Sequence, residues 1–218
     1  MKKPDKTMLP VFDPRPSGRF AADLLEKTGQ QGILIGRLAV WAFLRDTGGY
    51  AYTKDLDMAV SREACFEIRK HLKEKNVTVG DLLIGGINVK IGDDINIDFI
   101  DRSSQEWGDY SPLFKEAVAE AVRSGRTIRL DDTNVLYLVS LAHLIIMKLL
   151  TMERKDEDDA KVLLQSADPD INRIREIISG HPDPLVRTRL EIVQTRLEIL
   201  LRDMNHKESK LLKYKHVS

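Results

Sequence analysis

The chain of 218 residues carries 34 Lys and Arg against 34 Asp and Glu, so its formal net charge at neutral pH is zero. This balance excludes a global basic field for nucleic acid or an anionic membrane, and any nucleic-acid partner would need a local patch. The single cysteine, Cys65, excludes an internal disulfide, and the five histidines lack zinc-type spacing. The sequence also contains neither a P-loop nor a nucleophile-elbow motif.

The longest apolar run covers residues 141–150, which is too short to span a bilayer and includes His143 and Lys148. The polar, Pro-rich start of the sequence carries no apolar run of the kind found in secretory signals. We therefore expect a soluble cytoplasmic protein with no membrane partner and with enough length for a substantial core.

The first elements are a leader, a helix and a strand–turn–helix unit. Prolines predict an extended leader over residues 1–16, and Ser17 is the expected N-cap of a helix that reaches residue 27. An apolar strand over residues 33–35 ends at Gly36, and a second helix follows over residues 38–45. Such a turn directs backbone N–H groups and the positive end of the helix toward a bound phosphate.

Residues 53–60 read as a strand with a polar face and a buried face, because side chains alternate along a strand. The polar face carries Asp55, Asp57 and Ala59, and the buried face carries Leu56, Met58 and Val60. The two carboxylates lie about 6–7 Å apart at Cα and can converge on one or two metal ions. An Asp-x-Asp pair also arises by chance at solvated strand edges, so the pattern alone leaves both interpretations open.

The middle of the chain supplies a third carboxylate. Ser61 is the expected cap of a helix to residue 75, and Gly85-Gly86 predicts a hairpin between strands over residues 82–84 and 87–91. Asp98 lies in the next strand, over residues 95–100. If this strand pairs with the Asp55 strand, the three carboxylates form a cluster of hard oxygen ligands that suits Mg²⁺ or Mn²⁺ rather than zinc. Asp101, which ends the strand, is expected to act as a cap rather than as a ligand.

An irregular segment over residues 102–109 precedes a helix that stops at Gly125, and Trp107 and Tyr110 are expected to cover part of a cleft. Strands over residues 127–130 and 135–139 lead to a helix capped by Ser140. In that helix Lys148 lies among apolar residues, so it is either a snorkelling lysine or a phosphate or carboxylate partner. These elements predict an α/β (α+β) fold, a small mixed β-sheet flanked by helices, over residues 17–166.

Residues 167–218 predict a C-terminal helical region. Asp168-Pro169 is the expected start of a helix that closes at Gly180, and a long helix follows Pro184 to about residue 214. An apolar stripe runs along this helix, formed by Val186, Leu190, Val193, Leu197, Leu200 and Met204. Packing of the stripe on the preceding domain is the default interpretation, and a homodimer or a partner protein is the alternative.

A further charged block completes the pattern: Lys148 is followed by Arg154-Lys155-Asp156 and by Asp159. The order of strand, turn glycine, helix, Thr53-x-Asp55-apolar-Asp57, later strand aspartate and this block resembles the DNA-polymerase-β-like nucleotidyltransferase superfamily. The likeness spans about residues 30–166. It is closer to the bacterial minimal nucleotidyltransferases and to the nucleotidyltransferase toxins of abortive-infection (type IV toxin–antitoxin) systems.

The resemblance implies Mg²⁺- or Mn²⁺-dependent transfer of a nucleoside monophosphate from an NTP to an acceptor. Transfer RNA or another RNA, a protein side chain and an aminoglycoside hydroxyl are all acceptors in relatives of this fold, and an antitoxin would be a partner. The implied catalytic and metal-binding residues are Asp55, Asp57 and Asp98. The implied NTP-binding residues are Gly36, Arg37, Thr53, Lys148, Lys155 and Asp159.

Arg37 departs from the family pattern, which has Gly or Ser immediately after the turn glycine. An arginine at this position could bind the triphosphate as a bidentate donor, or it could crowd the phosphate site. In the second case the protein would be a non-catalytic nucleotide-sensing or partner-binding module.

Overall fold

The computed structural model describes residues 13–44, 53–75, 77–132, 135–151 and 153–215, with side chains as far as residue 204. These residues form eight helices and one sheet. The helices are α1 Pro14–Thr28, α2 Gly36–Phe43, α3 Arg62–Glu74, α4 Ser111–Ser124, α5 Leu141–Leu150, α6 Arg154–Ser166, α7 Ile171–Gly180 and α8 Pro184–Lys215. The strands are β1 Gly32–Leu34, β2 Leu56–Val60, β3 Val79–Asp81, β4 Gly86–Ile91, β5 Ile95–Ile100, β6 Thr127–Arg129 and β7 Val135–Leu138.

The described strands form one mixed seven-stranded sheet in the order β3-β4-β5-β2-β1-β7-β6. The β2–β5 and β1–β7 pairs are parallel, and the other neighbouring strands are antiparallel. The central strands β1 and β2 are buried almost throughout, because helices cover the sheet. The predicted mixed sheet flanked by helices is therefore confirmed.

The first helix begins earlier than predicted. Asp13, not Ser17, is its N-cap, and the Asp13 carboxylate accepts a hydrogen bond from the backbone N–H of Arg15. Two prolines fit in the first turn because those N–H groups have no partner within a helix. The predicted end of the leader at residue 16 therefore lies inside α1, and residues 1–12 lie outside the described residues. Ser17 is buried, and its hydroxyl accepts a 3.0 Å hydrogen bond from the Asn96 backbone at the start of β5.

The α2 helix also begins earlier than predicted, at Gly36, and its predicted end at residue 45 lies outside the described residues. The predicted cap of α3 is confirmed, since the Ser61 side chain accepts from the Ala64 N–H. Ser140 caps α5 in the same way through the His143 N–H, and Gly125 ends α4 in the left-handed conformation. The α5 helix closes at Leu150.

The first strand of the predicted hairpin is wrong by three residues. Residues 82–85 form a turn, which is closed by hydrogen bonds from Leu82 N–H to Gly86 O at 3.1 Å and from Gly85 N–H to Leu82 O at 3.0 Å. Leu83, in the middle of the turn, is 79% exposed. The strand that pairs with β4 is Val79–Asp81. Its backbone groups form the hydrogen bonds of the sheet, but its side chains are not apolar enough to indicate a strand in the sequence.

The C-terminal helices pack on α5. Asp170 caps α7, and the predicted cap Asp168 instead takes a left-handed backbone with φ of 48°. The predicted stripe of α8 faces α7 and α5, and its members from Val186 to Leu200 are buried, so the default interpretation of packing within the chain accounts for it. Within the described ranges, no helix has both the length and the apolar character that a membrane crossing requires.

Cys65 lies on the inner face of α3 and packs against the sheet. It is 6% exposed, and its thiol donates to the Phe99 carbonyl of β5 at 3.6 Å. Burial is the main cause that raises the pKa of the thiol to about 12, with a smaller contribution from Asp101. Cys65 therefore acts as a small buried side chain in the core.

Candidate active site

The sheet brings the three predicted carboxylates together. Asp57 lies in β2 and Asp98 in β5, and the parallel register sets these two residues directly side by side. Asp55 immediately precedes β2. One carboxylate oxygen from each of the three residues lies within 4.8 Å of the others, which is close enough to share a cation. On the opposite side of β2, Leu56, Met58 and Val60 are fully buried, as the alternation predicts.

Neighbouring polar side chains orient two of the carboxylates. The Thr53 hydroxyl donates to Asp55 Oδ1 at 3.0 Å, so Thr53 contacts a carboxylate of the cluster. Asn88 Nδ2 donates to Asp98 Oδ1 at 2.6 Å and also to Asn96 Oδ1 at 3.1 Å. Sequence reasoning missed Asn88. Asn88 is a polar residue between the buried residues Ile87 and Val89 of β4, which suggests that it lies on the polar face of the strand. Only the β4–β5 register shows that it lies opposite Asp98.

Burial and neighbouring charges raise the pKa values of two carboxylates in the cluster. Burial raises the pKa of Asp57 to about 7, with further contributions from Asp55 and Asp98, while Lys148 and Lys155 act in the opposite direction. Burial also raises the pKa of Asp98, although the hydrogen bond from Asn88 opposes the shift. Burial and the closeness of the three carboxylates therefore favour a bound proton, and a divalent cation at the same place would favour its release.

Gly36 allows the β1–α2 turn to lie directly against Asp57. Its φ is +66°, a left-handed conformation, and a Cβ at this position would overlap the Asp57 carboxylate. The Ile35 N–H donates to the Asp57 carbonyl at 2.9 Å, which fixes the turn to β2. Among the described side chains, none caps the first turn of α2. Its N–H groups are thus available to an anion beside the carboxylate cluster.

Lys148 and Arg37 share a buried carboxylate. Lys148 is 9% exposed, and its ammonium lies 2.6 Å from Asp156 Oδ1 and 2.9 Å from Asp159 Oδ2. The Arg37 guanidinium lies 2.8 Å from Asp159 Oδ1. Thr151 donates to the other oxygen of Asp156 at 2.7 Å. Lys148 is therefore a paired buried cation and not a snorkelling lysine.

This network also bears on the departure at Arg37. Because Asp159 holds the guanidinium, Arg37 lies in the wall of the cleft and the carboxylate cluster stays open, so the occluded-site interpretation is not favoured. Asp159 itself is 3% exposed and is not part of the cleft lining; it orients the two cations that are. Lys155 also lines the cleft and pairs with Glu153 at 2.9 Å, where both side chains remain well exposed.

The site is an open cleft of about 530 Å³. Its lining includes Gly36, Arg37, Lys148 and Lys155, the three aspartates, and Ile84, Ile100, Phe114 and Arg102. The strand register separates two ends of the cleft: the Gly36 turn is tied to Asp57 through the Ile35 N–H, whereas Ile100, which leads to Arg102, lies beside Ala59, two residues beyond Asp57 along β2. The aromatic residues expected to cover the cleft do not do so, since Trp107 is 53% exposed and Tyr110 is buried beside Arg102, and neither lines the cavity.

No protein-family model matches the sequence, and no curated protein matches it. Among solved structures, the chain is similar to the antibiotic-resistance factor ANT(2″)-Ia in solution, with 16% identity, 95% of this chain and 100% of that chain covered, and a TM-score of 0.40. It is also similar to the crystal structure of an antigenic nucleotidyltransferase-like protein from Paracoccidioides brasiliensis, with 14% identity, 85% and 88% covered, and a TM-score of 0.42. Likeness at this level carries no conclusion about activity, which has to be argued from the cleft.

Proposed function

We propose that the protein is a metal-dependent nucleotidyltransferase that moves a nucleoside monophosphate from an NTP to an acceptor and releases pyrophosphate. The observation that carries this proposal is the convergence of Asp55, Asp57 and Asp98 within 4.8 Å in an open cleft. The cations Arg37 and Lys148 line the same cleft. Carboxylates for metal ions beside fixed cations for phosphate are the components that phosphoryl chemistry requires.

The residues present fit one or two divalent cations. All the donors in the cluster are carboxylate oxygens, which Mg²⁺ and Mn²⁺ prefer. Burial, with the neighbouring carboxylates, raises the pKa of Asp57 to about 7, and a cation would favour its ionised form. Asp55 and Asp57 would hold the ion that binds the triphosphate, and Asp98 would share a second ion. When bound, such ions supply charge neutralisation at the phosphorus under attack.

The chain's own groups then have separate tasks. Gly36 and the first turn of α2 would receive the phosphates, with Arg37, Lys148 and Lys155 as counter-charges. The acceptor oxygen attacks the α-phosphorus, the bond to pyrophosphate breaks, and Asp98 takes the hydroxyl proton. Thr53, Asn88 and Asp159 act as positioning residues through Asp55, Asp98 and the two cations respectively.

The acceptor and the biological role follow only from the resemblance in sequence. An RNA end as acceptor and a toxin-like role with an antitoxin partner are proposals of that kind. A cytoplasmic location is a separate proposal, drawn from the absence of a long apolar run in the sequence. The alternative of a partner that docks on α8 rests on its exposed residues Leu185, Ile192 and Ile199, because the buried stripe is occupied within the chain.

The test is to incubate the protein with Mg²⁺, each NTP labelled at the α-phosphate, and cellular RNA or lysate, and to identify the molecule that becomes labelled. We expect label in one acceptor class with the wild type and none with Asp98→Asn. Asp93→Asn is the matched control, because Asp93 lies exposed in the turn before β5. Absence of label with every NTP, or equal labelling by Asp98→Asn, would contradict the proposal.

A further inference from the structure

Arg102 is a buried arginine at the end of the cleft that the proposed reaction does not use. It lies two residues beyond the end of β5, and it lines the cavity together with Asp98 and Ile100 of that strand. Arg102 is only 7% exposed. Its backbone is left-handed with φ of 53°, and the Tyr110 N–H donates to the Arg102 carbonyl at 2.9 Å. Residues held in this sparsely populated conformation concentrate at functional sites.

The guanidinium of Arg102 has no anionic partner in the described part of the chain. Its guanidinium carbon lies 5.9 Å from the centre of the Tyr110 ring. Arg37, in contrast, is paired with Asp159. Burial lowers the pKa of Arg102, yet arginine stays charged in proteins. A buried charge of this kind is costly unless an anion meets it, so an anion from outside the chain would relieve the cost.

The surroundings of Arg102 differ from the phosphate-binding end. Ile84, Ile100 and Phe114 give the cleft apolar lining, and Ile100 lies beside Ala59, past Asp57 along β2. Gly36, in contrast, lies directly against the Asp57 carboxylate in the turn after β1. Asp98, the proposed proton acceptor, is the member of the cluster on the same strand as this apolar end. The Arg102 end is therefore the side from which an acceptor hydroxyl would approach.

We propose that Arg102 anchors an oxyanion, a phosphate or a carboxylate, on the acceptor molecule, so that the acceptor class is anionic with an apolar body. This inference rests on the proposed nucleotidyl transfer. A guanidinium binds both oxyanions through paired hydrogen bonds, and the apolar walls contact the remainder of the molecule. A polycationic acceptor would place like charge beside Arg102 and is excluded from this end.

The experiment uses four probes that share a hydroxymethyl-substituted aromatic ring. They are benzyl alcohol, 4-(hydroxymethyl)phenyl phosphate, 4-(hydroxymethyl)benzoate and 4-(hydroxymethyl)benzylamine. Each is titrated into the full chain by NMR, with and without Mg²⁺ and α,β-methylene ATP. We expect the wild type to bind at least one anionic probe about ten- to a hundredfold more tightly than the neutral alcohol. The tighter of the two anions identifies the phosphate or the carboxylate as the natural group.

Arg102→Met should abolish this preference and leave binding of the neutral probe unchanged. Arg189→Met is the matched control: Arg189 lies against the same Tyr110 ring at the same distance of 5.9 Å but does not line the cleft, so the preference should persist. Should Arg102→Met fail to fold, Arg102→Gly removes the same charge and suits the positive φ.

Equal binding of neutral and anionic probes by the wild type would overturn the inference. Tightest binding of the amine, or a preference that survives in Arg102→Met, would also overturn it. Loss of nucleotide binding in Arg102→Met would move Arg102 to the NTP site and refute the acceptor role. If the wild type binds no nucleotide at all, the proposed function fails, while the titrations without nucleotide still decide whether Arg102 binds an oxyanion.

Discussion

Replacing Asp57 by asparagine should stabilise the metal-free protein while it abolishes nucleotidyl transfer. The pKa of Asp57 is about 7 in the folded chain, against about 3.9 for an ordinary aspartate. Between these values the folded state holds a proton that the unfolded state has lost. The free energy of unfolding of the metal-free wild type therefore falls as the pH rises from about 4 to about 7.

The size of the effect follows from the difference of about three pKa units at about 1.36 kcal/mol each, which gives about 4 kcal/mol above pH 7. Because Asp55 and Asp98 share the charge, this value is an upper bound. Asparagine has a similar shape and no charge to lose. We expect Asp57→Asn to gain up to about 4 kcal/mol at about pH 8 in EDTA, and about 1–2 kcal/mol at about pH 5.

Magnesium should reduce the stability advantage of the variant over the wild type. A cation present at about a hundred times its dissociation constant stabilises the wild type by about 2.7 kcal/mol, and the variant lacks one of the ligands. Urea unfolding at both pH values, with EDTA or Mg²⁺, measures all four cases, and Asp93→Asn controls for loss of an exposed carboxylate. A metal-free variant no more stable than the wild type at about pH 8, or equal stabilisation of both by Mg²⁺, would refute the reasoning.

Gly36→Ala should lower the free energy of unfolding, measured by urea denaturation, by several kcal/mol, because a strained φ adds to an overlap with the Asp57 carboxylate. Gly29→Ala, with φ of +64° and open space around it, should lower it by only about 1–2 kcal/mol, and equal losses would contradict the close approach of Gly36 to Asp57. Arg37→Gly should weaken binding of a nonhydrolysable NTP with Mg²⁺ about ten- to a hundredfold in calorimetric titration, and tighter binding by the variant would mean that Arg37 obstructs the phosphates. Leu197→Asp should destabilise the protein by more than about 3 kcal/mol in thermal unfolding, because it buries a charge. Ile192→Asp on the exposed face of α8 should have little effect on stability, and a large loss there would place that face in an interface.

The carboxylate cluster could be predicted from the sequence because both strands that carry it show a local alternation of polar and apolar residues. Asp57 and Asp98 lie in runs that alternate polar and buried residues, and two such strands have few ways to pair in a small sheet. Side-chain caps were equally local, as at Ser61 and Ser140. Asp168 was mistaken for a cap because Asp170, two residues later, offers the same side chain.

What the sequence could not provide were contacts fixed by register and by helix packing. Asn88 is opposite Asp98 only through the antiparallel β4–β5 register. The pair of Arg37 with Asp159 joins residues far apart in the chain, and it changes the meaning of an arginine that looked like a departure from pattern. Arg102 lies in a segment without periodicity, so nothing in the sequence marks it as buried.

The buried thiol of Cys65 can be used to measure local opening of the fold. It is the only thiol in the chain, and it is closed off between α3 and the Phe99 carbonyl of β5. A thiol reagent such as a disulfide dye can reach it only when α3 separates from β5. The rate of labelling therefore measures how often this local opening occurs. Phe99 is adjacent to Asp98 in β5. A ligand that binds in the cleft and holds β5 in place should therefore slow the labelling of Cys65 on the opposite face of the sheet.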